Sequence, residues 1–246
     1  MKNKIFQMYK NISIGKNDIC TECNAIGEKE KPLSFYFVGD KFEKGEDTVL
    51  FVGKTAVGGA DFEEEYKGDF KNELFTDATK FGEASLDLNE PYATGRPFYN
   101  YTHCIIEKYY GSYEKGKSFV ALTNIVKCNN TSTNDATSKK VKELCINKLG
   151  VIWKEIELIS PKRVVFFTHD KYDDYIDAFI SKNSNKYEEL ADKNIKIGNK
   201  NTPWWHRRYY DKENERIYDF LRLGHPQMMD KSDYVNAVVG WLNETK

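Results

Sequence analysis

Thr48-Val49-Leu50-Phe51-Val52-Gly53 decides the fold class of this chain. The run is β-branched and aromatic, without a single charge, so it offers no solvent face. It reads as a buried strand leading into a glycine-rich turn over residues 53–59. Strands covered on both faces belong in parallel sheets flanked by helices. Three further apolar runs can lie beside it: SFVALTNIV at 118–126, RVVFFT at 163–168 and IYDFLRL at 217–223, the last ending at Gly224-His225-Pro226.

Helical periods fall between and beyond these runs. Val141, Leu144, Cys145, Leu149, Ile152, Trp153, Ile156 and Ile159 follow i, i+3, i+4 steps, which predicts one helix over 137–159, capped by Asp135 or Thr137. Residues 171–180 and 234–242 read as two more, the second capped by Ser232 or Asp233. Residues 61–94, acidic at Glu63-Glu64-Glu65, read as a long loop with one helix. Residues 182–205 show no clear period. No linker divides the chain. The expectation is a single α/β domain over 1–246, a three-layer α/β/α fold around a mostly parallel sheet of about four strands.

Charge and cysteine usage narrow the classes. Lys and Arg total 37 against 38 Asp and Glu, so bulk charge does not mark a dedicated nucleic-acid binder and any DNA contact must come from local patches. No apolar run approaches the roughly 18 residues of a membrane span, and residues 1–10 lack an apolar signal core. A cytoplasmic monomer is expected. In that compartment five cysteines are not a disulfide framework. Cys20 and Cys23 form a CxxC pair, Cys128 closes an apolar segment, and Cys145 follows it. Cys104 is left over as a buried free thiol.

Ligands of parallel sheets bind outside the carboxyl ends of the strands. Three such ends carry suggestive residues here: the Gly53 turn, Asn124 near Cys128, and His225.

Four blocks, in order, resemble the iron–sulfur branch of the uracil-DNA glycosylase superfamily. They are Cys20-Thr21-Glu22-Cys23, the VLFVGKTAVG run at 49–58 with Gly95-Arg96-Pro97-Phe98 after it, Thr123-Asn124-Ile125-Val126-Lys127-Cys128 with Cys145 downstream, and Gly224-His225-Pro226. The resemblance implies a DNA glycosylase that flips a uracil or other altered base out of DNA and hydrolyses its glycosidic bond. It implies a 4Fe-4S cluster on Cys20, Cys23, Cys128 and Cys145. A four-cysteine zinc site and unligated thiols are the other readings of that set.

The chemistry gives each residue a task. Phe98 offers an aromatic face to a flipped base. Asn124 carries both a donor and an acceptor for its Watson–Crick edge. Charge builds on the departing base, and the resemblance gives its stabilisation to His225. Backbone N–H groups around Gly53 and Lys54 can hold a base oxygen or a phosphate. Met228 and Met229 suit a wedge in the base stack. Arg207 and Arg208, behind Trp204-Trp205-His206, suit either a nucleic-acid surface or a packed loop. His103 and His169 read as ordinary structural or surface residues.

Lys54 departs from the resemblance, because the family has an acidic, water-positioning residue there. Asp61 or Glu63 is the substitute the sequence offers. The departure keeps other functions open: excision of a different modified base in a defence or phage setting, a catalytically inactive DNA-binding relative, or a small-molecule protein unrelated to DNA.

Overall fold

The structure is a computed structural model that describes residues 1–32, 37–55, 86, 97–130, 137–195, 204–224, 226 and 230–245. In chain order the elements are α1 (Lys2–Asn11), α2 (Asp18–Asn24), β1 (Lys29–Pro32), β2 (Phe37–Val38), β3 (Val49–Gly53), α3 (Pro97–Tyr110), α4 (Tyr113–Gly116), β4 (Val120–Asn124) and β5 (Cys128–Asn130). Then come α5 (Lys139–Lys142), a π-helical stretch (Glu143–Leu149), α6 (Val151–Ile159), β6 (Arg163–Phe166), α7 (Asp173–Lys182), β7 (Tyr187–Ile195), β8 (Trp204–Asp211), β9 (Arg216–Arg222) and α8 (Lys231–Glu244).

This is an α/β protein with a seven-stranded mixed sheet in the order β2-β4-β3-β6-β9-β8-β7. The four runs expected from sequence form its parallel centre: β3 pairs with β4 and β6, and β6 with β9, all parallel. β3 and β4 are buried at every position, as strands covered on both faces should be. Side chains alternate between two cores. Leu50 and Val52 pack with Ile5, Tyr9, Ile152, Ile156 and Ile176 of α1, α6 and α7. Val49 and Phe51 pack with Ile105, Ile106, Val238 and Leu242 of α3 and α8.

The expected count of about four strands is corrected to seven. β2 adds antiparallel to β4, and the β8–β7 ribbon adds antiparallel to β9. The region left without a period at 182–205 contains β7, an edge strand whose residues are mostly exposed and therefore lack an apolar stripe. The tract Trp204-Trp205-His206-Arg207-Arg208, weighed as a packed loop, is strand β8.

The single helix over 137–159 is also corrected. Ser138, not Asp135 or Thr137, caps α5 by accepting from the Val141 N–H at 3.3 Å. The chain then winds as a π-helix, and Gly150 at φ 66° breaks it before α6. An i, i+3, i+4 pattern cannot reveal either event, because glycine alone takes that left-handed turn freely and a π turn inserts its extra residue silently. The last helix, α8, is capped by Asp230 rather than Ser232 or Asp233. No described helix is long and apolar enough to cross a membrane.

Candidate functional site

The carboxyl ends of β4, β3, β6 and β9 lie side by side, and three sequence-predicted residues meet there. Gly53 and Asn124 are ladder partners at the ends of β3 and β4. A Cβ on Gly53 would lie 2.4 Å from the Asn124 Oδ1 and 3.5 Å from the Phe98 ring. Only glycine permits this approach: any side chain would drive the Asn124 amide out of place. Asn124 is 8% exposed, near the surface but held. Phe98, at the start of α3, is half-buried and stands edge-on to Phe167 at 5.4 Å between centroids.

The ladder continues past the strand ends. Ile125 N–H donates to the Gly53 carbonyl and Val126 N–H to the Lys54 carbonyl, both at 2.9 Å. The Thr55 hydroxyl donates to the Cys128 carbonyl at 2.8 Å. Residues 53–55 and the loop after β4 are thereby bonded together, which ties the end of β4 at Asn124 to the backbone leading to Cys128.

That loop carries a buried charge. Lys127, 2% exposed, donates from Nζ to Glu155 at 2.6 Å, and Glu155 is fully buried on α6. Thr123 donates to the same carboxylate at 2.9 Å, and the Tyr9 hydroxyl donates to its other oxygen. Burial lowers the Lys127 pKa, while the Glu155 carboxylate raises it in opposition. Three donors thus surround the Glu155 carboxylate, which offsets part of the cost of burying the pair.

Cys20, Cys23 and Cys145 share one core, and Cys128 ends the loop that follows β4. Asn17 caps α2 by accepting from the Cys20 N–H at 2.8 Å, which sets Cys20 and Cys23 one turn apart. Both pack in the same core as Cys145 of the π-helical stretch. Cys128 is buried on β5, where its backbone pairs with Pro32 of β1, the strand that follows α2. Burial pushes the Cys145 thiol up to about 11, and the nearby Cys23 and Cys20 push the same way. The Lys127 N–H and ammonium oppose the shift. The Cys20 thiol is likewise raised by burial, against the Gly15 N–H that donates to its sulfur at 3.2 Å. All five cysteines are free thiols, and Cys104 is only partly buried on α3 rather than fully so. Among the described residues no group of three or more His, Cys, Asp or Glu side chains converges to hold a metal ion.

Other expected residues are placed elsewhere. Arg208 is ladder partner of Asp219, which pairs with Arg163, itself level with Val49. It thus stands roughly 13 Å from the level of Gly53 along the strands. Its guanidinium is bound to Asp219 at 2.8 Å. Arg207 is bound to Asp177 and Asp192 and lies 4.3 Å over the Trp205 ring. Both charges are answered within the protein. His103 bonds the Leu86 carbonyl and stacks on Tyr113, a structural role. Asp61, Glu63, His225, Met228 and Met229 lie outside the described residues.

His169, which reads in sequence as an ordinary structural or surface residue, is set apart by its backbone. It follows β6 at φ 64° and ψ 171°, a region that only glycine occupies easily. Its N–H donates to the Leu223 carbonyl at 3.0 Å, and its ring lies 3.9 Å from where a Cβ on Gly224 would be. Nδ1 bonds the Asp170 carboxylate. No pattern of residue types announces a strained backbone, so the only available signal was a histidine just past a strand end. No protein-family model matches this chain, and no curated protein matches it.

Proposed function

We propose that the chain is a DNA glycosylase with a three-layer, uracil-DNA-glycosylase-like α/β/α fold, which extrudes an altered base and hydrolyses its N-glycosidic bond. The observation that carries this reading is the contact of Gly53, Asn124 and Phe98 at the carboxyl ends of adjacent parallel strands. An amide with donor and acceptor beside an aromatic ring is the minimum for reading a flipped pyrimidine. The glycine lets backbone come close to the base. The amide is fixed before substrate arrives, so it reorganises little as charge moves onto the leaving base.

Cys20, Cys23, Cys128 and Cys145 are the residues that would hold a 4Fe-4S cluster, and four soft thiols with no carboxylate or imidazole among them suit that group. Bound there, it would supply folding energy that fastens α2 to the π-helical stretch and, through Cys128, steadies the Asn124 loop. Zinc is the alternative occupant, and iron, sulfide and zinc analysis of the purified protein separates the two.

The test is an oligonucleotide panel bearing uracil, deaminated, alkylated and hypermodified bases, offered to the metal-replete protein. Abasic sites are expected from at least one base, with a loss of roughly 10²–10³-fold in Asn124→Ala. Lys54 beside the site favours a second reading, a DNA-binding relative without chemistry. Salt-sensitive binding and no product across the panel would select it.

A further inference from the structure

We infer that His169, paired with Asp170, is the general base that takes a proton from the attacking water; this rests on the glycosylase reading above. Hydrolysis at C1′ needs a group to receive that proton. His169 stands at the end of β6, the strand next to β3, where the Phe167 N–H donates to the Val52 carbonyl at 2.9 Å. It is therefore in the same row of strand ends as Gly53 and Asn124.

Three observations set this imidazole apart. Its backbone occupies a conformation that costs free energy for any residue with a Cβ, and such strain persists where the surroundings impose it. The Asp170 carboxylate accepts from Nδ1–H, which fixes the tautomer and leaves the Nε2 lone pair as the acceptor. The side chain is 33% exposed, so water reaches it. A carboxylate-oriented imidazole within reach of solvent is the arrangement that general-base catalysis requires.

The water oxygen forms a bond to C1′ while the C1′–N bond breaks, and its electron pair leaves with the base nitrogen. The water proton passes to His169 Nε2 and then to solvent. The departing base takes its proton from solvent.

The test compares His169→Gln and His169→Gly with the wild type in single-turnover excision, DNA affinity and thermal melting. Both variants should lose about 10²-fold or more in rate while binding abasic-site duplex as tightly as wild type. Free imidazole should restore part of the rate of His169→Gly. That variant should also melt about 2–4 °C higher, because glycine relieves the strain. Unchanged rates, a matching loss of affinity, no relief by imidazole, or a lower melting temperature in the glycine variant would each overturn the assignment. An active wild type with unaffected variants defeats this inference alone. A wild type that releases no base defeats the glycosylase reading first and this one with it.

Discussion

At the amino end of β6, Arg163 is fully buried and each of its three guanidinium nitrogens is hydrogen-bonded. It bonds Asp47, donates to the Thr245 hydroxyl at 2.9 Å and to the Thr245 carbonyl at 3.0 Å. The Tyr109 hydroxyl donates to the same Asp47 carboxylate at 2.8 Å, and the Tyr110 hydroxyl to the Asp47 carbonyl at 2.7 Å. At the carboxyl end of the same strand, Thr168 is fully buried with its hydroxyl lacking a partner among the described residues, and His169 is strained. One end of the sheet is tied by a polar network that joins α8 and α3 to β6. The other carries the unpartnered Thr168 hydroxyl beside His169 in the glycine-only backbone region, whereas Ser160, ahead of β6, takes only the milder left-handed turn. Native proteins place such costs where geometry serves a ligand, so the contrast separates a stabilising end from a working end.

The largest effect should come from breaking the closed end. Arg163→Ala leaves Asp47 without its cation and should cost about 3 kcal/mol, the low end for a buried pair because Asp47 keeps a 34% exposed side chain. Urea unfolding measures it, and a cost under about 1 kcal/mol would mean the network is ornamental. Excision by the surviving folded fraction should be unchanged.

A smaller effect of opposite sign is expected at the open end. Thr168→Val replaces an unpartnered buried hydroxyl by a methyl group of similar shape. It should stabilise by about 1 kcal/mol in the same assay. Destabilisation by a similar amount would show that the hydroxyl has a partner, and the contrast between the ends would weaken.

The part of the fold visible in the sequence is the part buried on two faces. β3 and β4 are apolar runs buried at every position, β6 and β9 are largely so, and the strand ends pointed to Gly53, Asn124 and His225, while Phe98 came from the family resemblance. β7 and β8 were not visible for the complementary reason. β7 is an exposed edge rich in charge, and β8 carries Arg207 and Arg208 among aromatics because ion pairs across neighbouring elements pay for their burial. Arg207 and Arg208, whose basic-aromatic setting suits either a nucleic-acid surface or a packed loop in sequence, are ion-paired to Asp177, Asp192 and Asp219 in the structure. The CxxC and the downstream cysteines form a set in sequence, while in the structure Cys20, Cys23 and Cys145 meet in one core through the Asn17-capped helix and the π-helical stretch. Strain at His169 has no sequence signature.

The proposed function requires DNA to meet the carboxyl ends of the parallel strands rather than their amino ends. Hydrogen exchange with and without an oligonucleotide carrying a stable abasic-site analogue measures that directly. Slowed exchange is predicted at residues 53–55, 98, 124–128 and 167–170, with 47–49, 109–110, 163 and 245 unchanged. Protection confined to the Arg163 end, or to the β7–β8 ribbon, would contradict it.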